Sequence, residues 1–501
     1  MRTAASAVVV TTRHGRLRGQ VRDGVAAFKG IRYAAPPFGP NRFQPPRPPE
    51  SWDGVRDALE VGRIAPQAPY APPFDALLGD QGIVGEDCLN LNVWTPDPST
   101  RGLPVMVWMH GGSFVRGSGS LPIYDGSAFA RDGIVCVTIN YRLGADGFLL
   151  LGDGIANRGL LDQLAALTWV QENIEAFGGD PQRVTIFGES AGAFSVATLL
   201  SMPRAKGLFR RAIAQSGAAH HTSSLATAQL VGRNLADKLG VAPTMPAIAA
   251  VPLARLVEAQ VELGIEVALR PDPGRWGEIA ANAMIFEPVV DGEVVPGRPI
   301  ERIAAGAGAD LDLMVGTTTE EWRFFLVPGG AIDRVTDDRL STMARFMGLD
   351  VETALPLYRV SRDRATAGDL LGALITDWFF RIPAIRLAEA HVKNGGSTHM
   401  YEFAWRSPIF DGRFGAAHAV EIGFVFGNLG RKGAMTLAGT EPPGLLSDVM
   451  HKAWVAFATR GAPGWTPYDA NERRVMRFDA AGGTVVMDPA AKERQLWDGI
   501  R

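Results

Sequence analysis

Val184-Thr185-Ile186-Phe187-Gly188-Glu189-Ser190-Ala191-Gly192 is the most informative stretch of the chain. Residues 184–187 form a short apolar run of the kind that makes a buried strand. Residues 188–192 are a G-x-S-x-G pentapeptide, and an alanine- and leucine-rich helix over about residues 191–202 leaves it. Strand, tight turn and helix in that order hold a serine hydroxyl clear of the backbone at a helix N-terminus. Glycines two positions either side remove Cβ atoms that would collide, and the serine takes strained backbone angles. The plainer alternative is a glycine-flanked serine that caps the helix.

Working outward, residues 105–109, 134–139, 212–215, 311–315 and 400–403 are further short apolar runs that predict strands. Leu160, Leu164, Leu167, Val170, Ile174 and Phe177 recur at helical spacing, and Gly178 and Gly179 stop that helix. Strands alternating with crossover helices predict an α/β fold: a large, mostly parallel twisted sheet covered on both faces. Such sheets carry their reactive groups at the carboxyl ends of strands. Length alone suggests several domains. Yet no low-complexity linker, charge run or internal repeat marks a boundary.

His110-Gly111-Gly112-Ser113-Phe114 follows the run 105–109 directly. Acyl transfer develops negative charge on the carbonyl oxygen, and preorganised backbone N–H groups stabilise it. The expected oxyanion donors are the N–H groups of Gly112, Ser113 and Ala191. The plainer alternative is a strand-end turn. His110 precedes the serine in the chain, which suits a structural role better than that of a base.

A serine hydroxyl needs an imidazole to take its proton and a carboxylate to fix the imidazole tautomer. In this type of sheet the chain order is serine, acid, histidine. Thr317-Thr318-Thr319-Glu320-Glu321 follows the run 311–315, and the residues alone do not choose between the two glutamates. Asp291 is a rival that looks like a turn aspartate. Four histidines lie beyond: His391, His399, His418 and His451. His391 and His451 fall in helical patterns and His399 precedes a strand. His418 closes the small-residue loop Phe414-Gly415-Ala416-Ala417-His418, where a catalytic imidazole belongs.

Composition narrows the function class. The 501 residues are 46% hydrophobic and 21% charged, a globular mixture. Fifty basic against fifty-three acidic side chains leave a net charge of −3, which offers no basic face to a nucleic acid. No run of apolar residues is long enough to span a bilayer, so no membrane partner is expected. Residues 1–12 lack the pattern of a signal peptide. Cys88 and Cys136 are the only two cysteines, which excludes a disulfide scaffold. A cytoplasmic protein is expected.

These residues together resemble the type-B carboxylesterases, the α/β-hydrolase branch that includes cholinesterases and bacterial nitrobenzyl esterases. Phe177-Gly178-Gly179 and, four residues on, Val184 to Gly192 resemble the family's serine signature. Glu86-Asp87-Cys88-Leu89-Asn90-Leu91-Asn92-Val93-Trp94-Thr95-Pro96 resembles its second signature, with Asn90 where Tyr or Thr is usual. Further blocks resemble it at residues 28–34, 140–144, 159–163, 287–292 and 465–468.

The resemblance implies one α/β-hydrolase domain over residues 1–501, with helical insertions above the active site. It implies an esterase acting on a small-molecule ester, without metal or cofactor. The family's strand–Gly–x–x–x–Asp–Glu–Gly pattern puts the acid on Glu321. Its histidine pattern, like Gly415 to Glu421 followed by Phe424 to Asn428, supports His418. Ser190, Glu321 and His418 are therefore the expected triad. Three departures stand out: Trp322 replaces the glycine after the acid, Glu320 replaces the aspartate before it, and Ser113 stands where Gly or Ala is usual. Cys88 matches a cysteine that extracellular relatives bridge to an upstream one, and no upstream cysteine exists here. Glu189 is implied to belong to the active-site network or to anchor the turn. The aromatic clusters at 324–325 and 378–380 are candidates to line the acyl or alcohol pocket, with core packing the plainer reading for most of them. Amide or carbamate hydrolysis and acyl transfer would use the same residues. A catalytically silent binding module is the rival from another class.

Overall fold

The apolar runs become strands in the computed structural model, which describes residues 6–501. Residues 1–5, part of the start that was read for a signal peptide, lie outside the described residues. The runs correspond to strands Leu103–Met109, Val135–Ile139, Gly179–Glu189, Arg211–Gln215, Asp312–Thr318 and Ser397–Phe403. Leu103–Met109 and Val135–Ile139 are buried along almost their whole length, which is why they show no polar alternation.

The chain packs as two compact units. The first comprises the chain up to Pro69, Asp80–Ile213 and His220–Arg302; the second comprises Tyr70–Gly79, Ala214–Ala219 and Ile303–Arg501.

In the first unit the strand order is Ser6–Thr12, Gly15–Arg22, Val25–Arg32, Asn90–Thr95, Val135–Ile139, Leu103–Met109, Gly179–Glu189. The leading strands pair antiparallel. Leu103–Met109 pairs parallel with both of its neighbours. In the second unit Asp312–Thr318, Ser397–Phe403 and Arg474–Asp479 pair parallel, and Gly482–Met487 closes a C-terminal hairpin. The parallel strands lead into the serine turn and into the loops after residues 109 and 318, and the antiparallel ones extend the sheet.

The helix predicted over 160–177 is an α-helix, Arg158–Asn173, tightening into a 3-10 turn, Ile174–Phe177. Gly178 ends it at φ 87°, a conformation glycine adopts without strain. Asp162 on this helix makes a two-pronged ion pair with Arg142, at 2.7 and 2.8 Å, and also accepts the Arg142 backbone N–H. Both side chains are buried, and the pair fixes the loop after strand Val135–Ile139. In the second unit, helix Ile382–Lys393 packs on strand Ser397–Phe403.

Candidate active site

Ser190 joins strand Gly179–Glu189 to helix Ala191–Ser201, at φ 56° and ψ −123°. Those angles lie outside the regions a serine favours, and the neighbouring packing enforces them. A Cβ on Gly192 would stand 1.9 Å from the Met109 carbonyl oxygen, so the helix start touches the adjacent strand end with no room for a side chain. Ser190 occupies the N-cap position, but its side chain makes no capping hydrogen bond. The capping alternative is therefore excluded.

The loop after strand Leu103–Met109 turns through three left-handed residues: Gly112 (φ 110°), Ser113 (φ 55°) and Phe114 (φ 60°). The Gly112 carbonyl accepts the N–H groups of Val115 and Arg116, at 3.1 and 3.0 Å. A Cβ on Gly112 would meet the Arg116 carbonyl at 2.2 Å, so this turn requires glycine. Glu189 is buried, and its carboxylate packs against Gly111. The Ala191 N–H opens the helix and is one of the donors without an intrahelical acceptor. Ser190, Gly112, Ser113 and Ala191 all lie in the first unit.

His110 is fully buried beneath this loop. Its ring stacks on Tyr141 at 4.5 Å, and its Nδ1 donates to the Gly111 carbonyl at 2.8 Å. The Tyr141 hydroxyl donates to the His110 carbonyl at 2.8 Å. Burial pushes the imidazole pKa down to about 4. A neutral, stacked ring supports the loop rather than moving protons. A cavity of about 310 Å³ opens beside Ser113, walled by Val115, Gly264, Ile265 and Met284.

In the second unit the structure separates the two adjacent glutamates. Glu321 is fully buried just past strand Asp312–Thr318. Its Oε1 accepts the Thr318 N–H at 2.8 Å, and its Oε2 takes His418 Nδ1 at 2.6 Å. The His418 N–H donates to the Glu321 carbonyl at 3.2 Å. A carboxylate on Nδ1 leaves Nε2 as the acceptor, the tautomer a general base needs. Glu320 points elsewhere, into Arg323 and Arg406.

The other candidates have structural partners. Asp291 Oδ1 accepts the N–H groups of Glu293, Val294 and Val295, which makes it a turn aspartate. His391 lies between Thr398 and the Gly308 carbonyl. His451 Nδ1 donates to the Val425 carbonyl. His399 is buried in its strand, and desolvation pushes its pKa down to about 4.

The sequence marked the aromatic clusters and Trp322 but not how they are arranged. Phe380, Phe325 and Phe324 pack around the His418 ring, with centroids 4.9, 5.7 and 6.0 Å away. Trp322 joins this aromatic group. Its N–H donates to Thr376, and its indole packs on Phe325 at 4.5 Å and Phe379 at 5.3 Å. Phe379 and Phe380 sit on a π-helical turn, Asp377–Arg381, from which Phe380 packs on the imidazole and Phe379 on Trp322. The run Trp378-Phe379-Phe380 was the visible signal, but apolar periodicity does not reveal a π turn.

Among the described residues no helix is long and apolar enough to cross a membrane. No group of three or more His, Cys, Asp or Glu among them is placed to hold a metal ion. Cys88 and Cys136 are free and buried, and desolvation raises both thiol pKa values far above the ordinary range.

Comparison with known proteins places these features in a family. The carboxylesterase family model matches residues 6–497. The chain is 37% identical to the para-nitrobenzyl esterase of Bacillus subtilis (strain 168), over 97% of this chain and 98% of that protein. It is 35% identical to the phenmedipham hydrolase of Pseudarthrobacter oxydans, over 96% and 97% respectively. A crystal structure of a Geobacillus stearothermophilus carboxylesterase superposes with a TM-score of 0.85 at 38% identity, covering 98% of this chain and 99% of that one. The α/β-hydrolase sheet, the serine turn and the match along nearly the whole sequence lead to one conclusion: the chain belongs to the carboxylesterase family and is a serine hydrolase of carboxylic esters.

Proposed function

We propose that Ser190, His418 and Glu321 form the triad of this esterase and that Gly112, Ser113 and Ala191 supply its oxyanion hole. Ser190 Oγ attacks the ester carbonyl while His418 Nε2 takes its proton. Glu321 holds the ring and stabilises the imidazolium. The three backbone N–H groups bind the oxyanion of the tetrahedral intermediate. His418 protonates the departing alcohol, and water then attacks the acyl-enzyme by the same route. The reading joins residues of the two units into one catalytic domain. The family match over residues 6–497, which covers both units, supports that.

The observation that carries the assignment is the buried 2.6 Å pair of His418 Nδ1 with Glu321. The strained Ser190 turn supports it independently. The cavity beside Ser113 suits one side of a small, largely apolar ester. A bacterial, cytoplasmic enzyme without nucleic-acid or membrane partners fits the balanced charge and the two free, buried cysteines. The test is labelling with a fluorophosphonate. Wild-type protein should be modified stoichiometrically, and Ser190→Ala not at all. Labelling that persists in Ser190→Ala removes the assignment.

A further inference from the structure

Glu320 takes no part in the mechanism above, yet it is tied to the loop that carries His418. Its backbone N–H donates to the Ala416 carbonyl at 3.0 Å. Its Oε2 accepts the Ala416 N–H, also at 3.0 Å. Both polar groups of a residue two positions before His418 are thus held by one glutamate. The loop wraps closely around the carboxylate: a Cβ on Gly415 (φ 68°) would lie 2.4 Å from Glu320 Oε2.

Two arginines hold the carboxylate in turn. Arg323 Nε reaches Oε1 at 2.9 Å, and Arg406 pairs with Oε2. Arg323 also binds Asp369 at 2.7 Å and the Arg413 carbonyl at 2.6 Å, so it ties the acid turn to helix Ala367–Thr376 and to the start of the histidine loop. Arg406 lies near the Gly412 carbonyl in the same loop. The group forms one wall of a cavity of about 260 Å³ that also touches Asp363, Arg362 and Arg364. The Glu320 side chain is 20% exposed and does not serve as a buried packing element.

We propose that Glu320 is a positioning residue: by clasping Ala416 it sets the placement of the His418 imidazole against Glu321. The two adjacent glutamates divide the task, one gripping the loop and the other the ring. The inference rests on the reading of His418 as the base. Without the carboxylate, the Ala416 N–H loses its charged acceptor and both arginines lose their shared partner. The loop then relaxes, and proton transfer slows because misplacement by about 1 Å costs up to about 100-fold.

The experiment compares Glu320→Gln, Glu320→Asp and His418→Ala on one short-chain aryl ester, with thermal unfolding measured alongside. Glu320→Gln should lower kcat roughly 10- to 100-fold, with KM within about twofold and melting within a few degrees of wild type. Glu320→Asp keeps the charge between the arginines and should recover most of that loss. Wild-type kcat in Glu320→Gln overturns the proposal. So does a loss confined to KM, or one that Glu320→Asp fails to rescue. A fully active His418→Ala would instead remove the base assignment itself, which separates the two failures.

Discussion

Around Ser190 the geometry is set by backbone packing without room for a side chain, whereas around His418 main-chain hydrogen bonds are joined by a network of charged side chains. The serine turn has its shape because Gly192 lies against the Met109 carbonyl and Gly112 against that of Arg116, with no atom free to yield. The histidine loop keeps its place through main-chain bonds to Glu320 and Glu321 and through the side chains of Glu321, Glu320, Arg323 and Arg406, of which Glu320 and the arginines are partly exposed. Backbone contacts fail abruptly because the main chain must shift to relieve them. A network of ion pairs and hydrogen bonds degrades in steps. In the proposed mechanism the nucleophile needs an invariant position and the base has to reach both the attacking and the leaving oxygen, so each style of support would suit its task.

The largest effects should come from the reacting groups. Ser190→Ala and His418→Ala should each reduce kcat on the order of 10⁶-fold, since either loss disables the unit. Steady-state hydrolysis of an aryl ester measures this. If one variant kept a hundredfold more activity than the other, the two would not be acting together. Glu321→Gln should cost about 10⁴, the price of the wrong imidazole tautomer, with substrate binding retained; a loss under tenfold would leave Glu321 a bystander.

Glycine substitutions sharpen the contrast directly. Gly192→Ala drives a Cβ into a main-chain carbonyl and should lower kcat at least about 100-fold and depress the melting temperature. Gly415→Ala meets the movable end of Glu320 in a left-handed turn, and should cost only about 10-fold. The reverse order would refute the distinction between backbone and side-chain support.

The smallest effect concerns pH. His110 in the first unit and His399 in the second are both buried, with pKa values pushed down from 6.5 to about 4. The unfolded chain binds these protons between pH 6.5 and 4 and the folded chain does not. Stability is therefore full above pH 6.5 and declines as pH falls toward 4. The urea midpoint should drop across that window, and less steeply in His399→Phe. Equal slopes would show that His399 does not contribute.

The central strands were legible because burial on both faces leaves continuous apolar runs such as residues 105–109 and 134–139. The outlying strands Gly15–Arg22 and Gly482–Met487 went unread, since partial exposure lets arginines, glycines and threonine interrupt the pattern. In the site, the serine turn and the glycine loop could be read because their chemistry is local and glycine-dependent. Glu320 and Glu321 could not be separated by spacing, because they are adjacent; the family resemblance pointed to Glu321, and packing turns its carboxylate to the ring. The aromatic wall around His418 was equally hidden. Its Phe380 sits on a π turn at Asp377–Arg381, and such a turn follows from tertiary contacts rather than from apolar period.

Cys88 and Cys136 have a practical consequence. Thiol-disulfide reagents attack thiolates that solvent can reach, and these two sulfurs are neither ionised nor reachable in the folded protein. Both sit in the first unit, so their modification rate becomes an internal clock for the opening of that unit alone, without any engineered label.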